Sequence, residues 1–344
     1  MAHLASPKRL LHWYAIFVAA SVLVLICSGG LVTSHGAGMA VPDWPNSFGY
    51  NMFLFPVSHW VGGVLFEHTH RLIASAVGLL TIGLCALTAR LEDRKWVKWL
   101  GAIALLAVIV QGVLGGLRVT EHNQLLGVFH GCLAQLYFCL VSTIALVTSP
   151  LWGTIEPGQS RFRSLRFWAV AVTAMVFVQL ALGALMRHAH TGLSIPDFPT
   201  AYGRIFPPLD DASVARINDY RAMNEAAPPI TAGLILLQYV HRIWAVFIVV
   251  GIGFVGIGIL RERALGFQAR FAGGLWIFLV VTQFCLGAWT IWSNKAADVA
   301  TAHVFFGALT LMTGILLSVI LSAAVMSSTR RQAVAASQKE VAKA

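Results

Sequence analysis

Eight apolar stretches, each about as long as a membrane-spanning helix, divide this chain of 344 residues. A helix needs about 20 apolar residues to cross the hydrocarbon core of a bilayer. The composition agrees, since 58% of the residues are hydrophobic and only 11% are charged, which excludes a soluble domain of this length. The stretches are roughly 11–33, 72–89, 99–117, 124–148, 167–186, 236–260, 271–292 and 301–326. The sequence therefore predicts an all-α polytopic membrane protein with eight transmembrane helices.

The chain also contains an internal duplication. The segment GGLVTSHGAGMAVPDWPNSFGY, Gly29 to Tyr50, returns as GALMRHAHTGLSIPDFPTAYGR, Gly183 to Arg204, 154 residues later. Each half holds four spans, an even number, so both copies enter the membrane in the same direction as a parallel duplication. We expect two tandem four-helix bundles, with an N-terminal half at 1–155, a C-terminal half at 156–330 and a cytoplasmic tail at 331–344. Such bundles build cofactor sites in their cores.

The net charge of +10 could suggest a nucleic-acid partner, but the position of the basic residues argues against one. Most of the 24 Lys and Arg residues fall in short loops and tails on one side of the eight-span arrangement. This is the positive-inside pattern, so we expect both termini in the cytoplasm and the long loops 34–68 and 187–234 outside. The N-terminal leader is too short for a transit peptide, which favours a bacterial plasma membrane.

The two outer loops share the pattern G-x-x-x-P-D-[WF]-P, with Trp44 in the first loop and Phe198 in the second. Rigid Pro, flexible Gly and an aromatic side chain could fold back over a bundle mouth as a lid. The same residues could form interfacial turns at headgroup level, and the sequence leaves both alternatives open. The second loop is longer and predicts a short surface helix capped near Asp210 or Asp211.

Four of the 12 histidines form matched pairs: His130 follows His70 by 60 residues, and His303 follows His241 by 62 residues. Each lies at or just inside the outer end of an even-numbered span, where an ionisable group is costly unless it is used. Two histidines on facing helices of one bundle suit bis-imidazole ligation of a heme iron. The sequence therefore predicts a heme site in each half.

Two other interpretations of these histidines are weaker. Zinc normally needs four N, S or O ligands, and no Cys or carboxylate set accompanies either pair. Interfacial histidines bonded to backbone carbonyls would explain one such position but not four matched ones.

Nearby Gly131 and Gly307 would let a flat macrocycle approach the backbone. We interpret the remaining outer-loop histidines as surface residues: His35, His59, His122, His188 and His190.

The two halves differ at one carboxylate. Glu67 lies three residues before His70, and Gln238 holds the corresponding place before His241. Residues at this spacing share a helix face, so Glu67 is the candidate base or charge stabiliser of the first pocket. His68 is a second candidate, although on a helix it points away from the His70 face. Arg71 and Arg242, which directly follow His70 and His241, either bind heme propionates or snorkel to the interface.

These residues resemble the heme A synthase family. The resemblance rests on E-x-x-H-R at 67–71, the histidines at 130 and 303, H-R at 241–242 and the twin loops, and it covers about residues 10–325. It implies an oxidoreductase that converts the C8 methyl of heme O to a formyl group, giving heme A for terminal oxidases. It also implies that His70 and His130 form the substrate heme pocket, that His241 and His303 ligate a heme B, and that Glu67 is catalytic.

The sequence departs from that family at its cysteines. Some members carry a cysteine pair in the first outer loop, and residues 34–45 contain none, so a redox role for such a disulfide is absent here. The five cysteines of this chain lie in or at the edges of apolar spans without a CxxC pair, and we interpret them as small buried hydrophobes.

Two rival functions use the same histidines. A b-type di-heme cytochrome would pass electrons across the membrane, but it needs hemes near opposite faces, and all four histidines map to the outer face. A heme carrier or assembly protein without turnover is excluded poorly by sequence. The expected partners are the lipid bilayer, heme O, delivered by a heme O synthase, and an electron acceptor that the sequence does not name. A homo-oligomer is left open.

Overall fold

The computed structural model describes residues 7–155, 162–224 and 228–341, with side chains described from residue 8 to residue 325 within those ranges. These ranges hold nine α-helices: α1 (Pro7–Ser34), α2 (Gly63–Leu91), α3 (Lys95–Thr120), α4 (Gln124–Thr148), α5 (Phe162–His188), α6 (Asp211–Asn224), α7 (Ala232–Arg261), α8 (Gly266–Trp292) and α9 (Ala297–Val341). Short 3₁₀ turns lie at Met52–Leu54, Val57–His59, Pro150–Thr154 and Arg263–Leu265. Every helix except α6 is long and apolar enough to cross a membrane, eight in all. The predicted all-α, eight-span membrane fold is confirmed.

Most helices extend several residues beyond the apolar stretches that predict them. Helix α2 starts at Gly63, although its apolar stretch starts at residue 72, because backbone hydrogen bonding continues through polar residues that hydropathy omits. A side-chain cap fixes the start of α4, where Asn123 accepts a hydrogen bond from the N–H of Leu125 at 2.9 Å. Helix α9 continues to Val341, so residues 331–341 of the predicted tail prolong that helix. Residues 342–344 lie outside the described part.

The eight long helices pack as two rings of four. In the first ring α1 contacts α2 and α4, and α3 contacts α2 and α4; in the second α5 contacts α7 and α9, and α8 contacts α7 and α9. The rings meet where α9 packs on α1 and α4, and α5 packs on α4. Because each ring closes on itself, a side chain pointing inward reaches the core of its own bundle. Residues 156–161, between the two halves, lie outside the described residues.

Each ring has its own apolar core, centred on Leu84 and Ile144 in the first and on Ile252 and Trp276 in the second. Cys139 is buried in the second core, whereas Cys285 is exposed on α8. All five cysteines are free, and the exposure of Cys285 corrects the expectation that each of them is a buried hydrophobe.

Two long loops, 35–62 and 189–231, lie at the same end of the bundles, which we call the loop end. Both loops fold inward, since Val41 and Ile195 are fully buried. Trp44 packs directly on Gly116 of α3, and the ring of Phe198 lies 5.9 Å from the ring of Trp292 at the end of α8. The loops therefore cover the bundle ends, as expected of lids rather than of interfacial turns.

The second loop carries the predicted surface helix. Helix α6 spans Asp211–Asn224, and Oδ1 of Asp210 accepts a hydrogen bond from the N–H of Ser213 at 2.9 Å. An aspartate at this position satisfies an otherwise unpaired N–H at the start of a helix. The cap expected near Asp210 or Asp211 is thus at Asp210.

Candidate functional site

The four matched histidines lie about two to three helical turns inside the loop end. Each imidazole packs against a glycine on the preceding long helix. The distance from the position that a Cβ would take on the glycine to Cε1 of the histidine is nearly constant: Gly29 to His70 3.0 Å, Gly115 to His130 3.1 Å, Gly183 to His241 3.2 Å and Gly287 to His303 3.2 Å. A side chain on any of these glycines would press on the ring, so four glycine–histidine pairs set the ring positions in the two bundles.

The glycines indicated by the sequence play a smaller part. A Cβ on Gly131 would meet no atom within 4 Å, in agreement with an open backbone surface. A Cβ on Gly307 would lie 2.8 Å from Nε2 of Gln283. The space beside Gly307 is therefore filled by a side chain of α8, which corrects the expectation that it admits a macrocycle.

One of the four imidazoles is oriented as a metal ligand would be. Nδ1 of His130 lies 3.2 Å from the carbonyl oxygen of Gln111, an acceptor, so Nδ1 carries the proton and Nε2 keeps its lone pair. Nδ1 of His70 and of His241 is buried without a hydrogen-bond partner among the described residues. Buried polar atoms are seldom left unpaired without a reason.

Side-chain amides hold the backbone beside two of these histidines. Nε2 of Gln111 donates to the carbonyl oxygen of His130, and Nε2 of Gln179 donates to that of His241, each at 3.0 Å. The free Nε2 of His130, the fixed backbone and the four glycine–histidine contacts fit a bis-histidine heme in each bundle, with His70 and His130 as candidate ligands in one and His241 and His303 in the other.

Arg71 and Arg242 each hold the loop above their own helix. Nη1 of Arg71 donates to the carbonyl oxygens of Asp43 and Asn46 at 2.7 and 3.0 Å, and Nη2 donates to that of Val41 at 2.9 Å. The second half repeats this set: Arg242 donates to Asp197, Thr200 and Ile195 at 2.7, 3.0 and 2.9 Å. That both arginines bind heme propionates stays a prediction. To bind a propionate, each guanidinium would first have to break its hydrogen bonds to these loop carbonyls.

The first loop is closed by a tight turn. The carboxylate of Asp43 accepts hydrogen bonds from the N–H groups of Phe48 and Gly49, each at 2.7 Å. Phe48 and Gly49 both have positive φ, 52° and 78°, as the two central residues of a type I′ turn require. Position 49 therefore favours glycine. At Phe48, the hydrogen bond from its N–H to Asp43 stabilises a backbone conformation that is unfavourable for a residue with a side chain.

The second loop repeats that turn. Asp197 accepts from the N–H groups of Tyr202 and Gly203 at 2.7 and 2.8 Å. Burial alone would raise the pKa of Asp197, but hydrogen bonds from Gly203, Thr200 and Tyr202 outweigh it and hold that pKa below its ordinary value. The carboxylate of Asp197 thus stays charged at neutral pH and keeps its hydrogen bonds to the turn.

Glu67 and Gln238 perform one task in common and differ in charge. Oε2 of Glu67 accepts from the N–H of Val41 at 2.9 Å, and Oε1 of Gln238 accepts from the N–H of Ile195 at 2.5 Å. Oε1 of Glu67 accepts from Nη2 of Arg71 at 2.8 Å. Both side chains are buried, with 4% and 1% of the residue exposed. A carboxylate and an amide therefore anchor equivalent loops, and an acidic group stands at this position in the first half alone.

His68 faces the loop, away from the contact of His70 with α1, as its place on the helix predicts. It is fully buried, with Nδ1 3.1 Å from Oγ of Ser47 and its ring against Phe55 and Trp60, whose centroids lie 5.0 and 4.7 Å away. These contacts give it a structural place in the first loop.

Two of the histidines expected at the surface make specific contacts. His35 donates from Nδ1 to the carbonyl oxygen of Leu31 at 2.9 Å and stacks on Phe66 at 4.0 Å. His188, at the end of α5, is half-buried, with Nδ1 3.2 Å from Oε1 of Gln124. The surface interpretation is therefore wrong for His188, which joins the two bundles.

The fold and the histidine pairs define a multi-pass, all-α membrane protein with a matched candidate heme site in each of two four-helix bundles. The family described as cytochrome oxidase assembly protein, COX15-CtaA, has a model that matches residues 55–315. The chain belongs to this family, which also marks it as an oxidoreductase and confirms the resemblance inferred from its motifs.

Three relatives named heme A synthase illustrate the likeness. The protein of Geobacillus kaustophilus is 23% identical over 304 residues, which cover 87% of each chain. That of Bacillus mycoides is 23% identical over 310 residues, covering 87% of this chain and 89% of the relative. That of Lysinibacillus sphaericus is 27% identical over 199 residues, covering 57% of this chain and 64% of the relative.

Proposed function

We propose that this chain is a heme A synthase, which oxidises the C8 methyl of heme O to a formyl group. Its relatives carry that name, and the observation that carries the proposal within the chain is the buried carboxylate of Glu67, where the other bundle has the amide of Gln238. A scaffold that only held two hemes would have no need of the difference between Glu67 and Gln238. The substrate is therefore assigned to the half that contains Glu67.

In this proposal His70 and His130 hold the substrate heme O, while His241 and His303 hold a resident heme B. A bound heme B supplies one-electron redox chemistry, which suits it to relay electrons from the substrate half to an outside acceptor. Gly29 and Gly115 leave room for the rings of the first pair, and Gly183 and Gly287 for those of the second. The two loops, which are hydrogen-bonded to Arg71 and Arg242, cover the bundle ends and so limit the entry of water to the heme pockets.

Glu67 is the group that acts on the reacting methyl. Each round of oxidation removes two electrons from the methyl carbon, adds the oxygen of one water and releases two protons. The first round gives a hydroxymethyl group, and the second gives a gem-diol that loses water to the formyl. Glu67 stabilises the positive charge that develops on the carbon and accepts a proton from the attacking water. Val41 and Arg71 fix the orientation of its two oxygens.

Heme extraction from membranes tests this function. The chain is expressed with a heme O synthase in a host that lacks heme A, and the hemes are analysed by pyridine hemochrome spectra and mass. A new heme A peak, absent from the host without the chain, supports the synthase. A di-heme cytochrome would leave heme B alone, and a heme carrier would hold heme O unchanged; either pattern would contradict the proposal.

The proposal includes a location. The positive-inside pattern supports a bacterial plasma membrane, both termini in the cytoplasm and the loop end, with all four histidines, near the outer face. A heme O synthase in the same membrane is the natural source of the substrate, because heme O is too apolar to travel through water.

A further inference from the structure

Arg118 is a cation without a partner at the mouth of the N-terminal bundle. It lies in the last turn of α3, and its Nε is buried without a hydrogen-bond partner among the described residues. None of the ion pairs formed by the described residues includes it. This contrasts with Arg71, whose Nη atoms are all engaged. Burying part of a guanidinium without an acceptor is costly, and an anion bound there would offset that cost.

The position of Arg118 relates it to the heme ligands. It follows Gly115, the glycine that contacts His130, by three residues, so both lie on one face of α3, with Arg118 about 4.5 Å nearer the loop end. Its guanidinium packs on Gly38 of the first loop, and Nε lies 3.0 Å from the position that a Cβ on Gly127 would take. The cation is thus enclosed by α3, α4 and the loop, directly above a histidine of the pocket.

Glu67 does not neutralise this cation directly. The two residues are near enough to interact through their charges, but the oxygens of Glu67 accept from Val41 and Arg71. His188 lies beside Arg118, against Gly127, and cannot supply a negative charge. No described residue therefore accepts a hydrogen bond from Arg118, which leaves its guanidinium available to a bound anion.

The C-terminal half has no equivalent arginine. The residue three positions after Gly287 is Thr290, whose hydroxyl donates to the carbonyl oxygen of Leu286 at 2.8 Å. The cation nearest the matching loop glycine, Gly192, is Lys295, which belongs to the next loop and is exposed.

The C-terminal half does contain another largely buried arginine, Arg187 of α5, but its Nη2 donates to the carbonyl oxygen of Gly30 and to Oγ of Ser34 at 2.5 and 2.7 Å. Arg118 differs from Arg187 in having no hydrogen-bond acceptor among the described residues.

We propose that Arg118 binds a propionate of the substrate porphyrin and so orients the substrate in its plane. The inference rests on the proposed function, in which the N-terminal half takes heme O. A guanidinium fork matches a carboxylate with two parallel hydrogen bonds. The C8 methyl of heme O neighbours one of its propionates on the porphyrin edge. Holding that propionate beside α3 selects which methyl reaches Glu67.

The test compares heme O with its dipropionate dimethyl ester, which keeps the ring and the iron but removes both negative charges. Purified protein with its resident heme is titrated with each compound, and binding is followed by the Soret band. The unmodified protein should bind the free acid about 10- to 100-fold more tightly than the ester, the range for one charge-assisted contact. Arg118→Met should lose most of that preference through weaker binding of the acid, and Arg118→Lys should keep part of it.

Lys295→Met is the matched control, because it removes a cation above the equivalent glycine in the other half; it should leave the preference unchanged. An unchanged resident-heme spectrum shows that each variant is folded. If the unmodified protein does not distinguish acid from ester, or if Arg118→Met keeps the full preference, the inference is wrong. Failure of the proposed function is recognised separately, since no heme A would then form when the unmodified protein is expressed with a heme O synthase, whatever its preference between acid and ester.

Discussion

Oε1 of Glu67 accepts a hydrogen bond of 2.8 Å from Nη2 of Arg71, one turn further along α2. Only 5% and 10% of the two side chains are exposed, so both charges are largely removed from water. Burying an ion pair costs desolvation energy that the attraction often does no more than offset. Gln238 anchors the equivalent loop without a charge. Stability of the loop therefore does not require a carboxylate at position 67. We expect the charge of Glu67 to serve the reaction instead.

Loss of one ligand of the C-terminal pair should release the resident heme. In His241→Ala or His303→Ala, a heme with one imidazole loses its low-spin character and much of its affinity. The optical spectrum of each purified variant measures this. His122→Ala, which changes an exposed loop histidine, is the control and should keep the unmodified spectrum. Unchanged low-spin bands in both ligand variants would rule out this pair as the ligands.

Gly115→Ala should disturb the substrate pocket through a single methyl group. The added Cβ would lie 3.1 Å from Cε1 of His130, so the ring or the helix must move. We expect a several-fold lower yield of heme A and weaker binding of added heme O. Gly112→Ala is the matched control on the same helix, since its Cβ would meet no atom within 4 Å. Equal heme O binding by the two variants would show that the glycine does not position the histidine.

Reporter fusions test the orientation of the chain. Fusions after Arg94, Arg163 and Arg263 should report a cytoplasmic position, and fusions near Asn46 and Asp211 should report the outside. The two sets lie at opposite ends of the spanning helices. A cytoplasmic signal near Asn46 would move all four histidines to the inner face.

Features that depend on local sequence were predicted well. The eight spans follow from apolar runs, and the cap at Asp210 follows from turn chemistry. The correspondence between His70 in one half and His241 in the other follows from the duplication. Each of these is a property of a short segment or of two aligned segments. Such signals survive without knowledge of how the helices pack.

Features that depend on packing were missed. Gly29 contacts His70 across 41 residues of chain, and the chain has 31 glycines, so no local signal shows which of them packs on a histidine. The bonds from Arg71 to loop carbonyls were not predicted, because they depend on how the first loop folds over α2. Arg118 sits among apolar residues at a helix end, where a snorkelling side chain is the ordinary expectation. The matched spacing of the glycines at 29 and 183 was the one available clue.

The central claim is that the charge of Glu67 performs the chemistry, and Glu67→Gln removes that charge while keeping the side-chain shape. The C-terminal half already shows that an amide can anchor this loop, with Oε1 of Gln238 on Ile195 and Nε2 donating to Gly192 at 2.9 Å. The variant should therefore fold and keep its resident heme B. A general base or charge stabiliser contributes about 10²–10⁴-fold, so heme A formation should collapse by that order. The reciprocal control, Gln238→Glu, should leave the products unchanged.

Quantitative analysis of the hemes extracted from Glu67→Gln, expressed with a heme O synthase, decides the matter. The predicted result is heme B at the level of the unmodified protein, heme O or a partly oxidised form of it, and almost no heme A. Heme A at the level of the unmodified protein would contradict a catalytic role for the carboxylate.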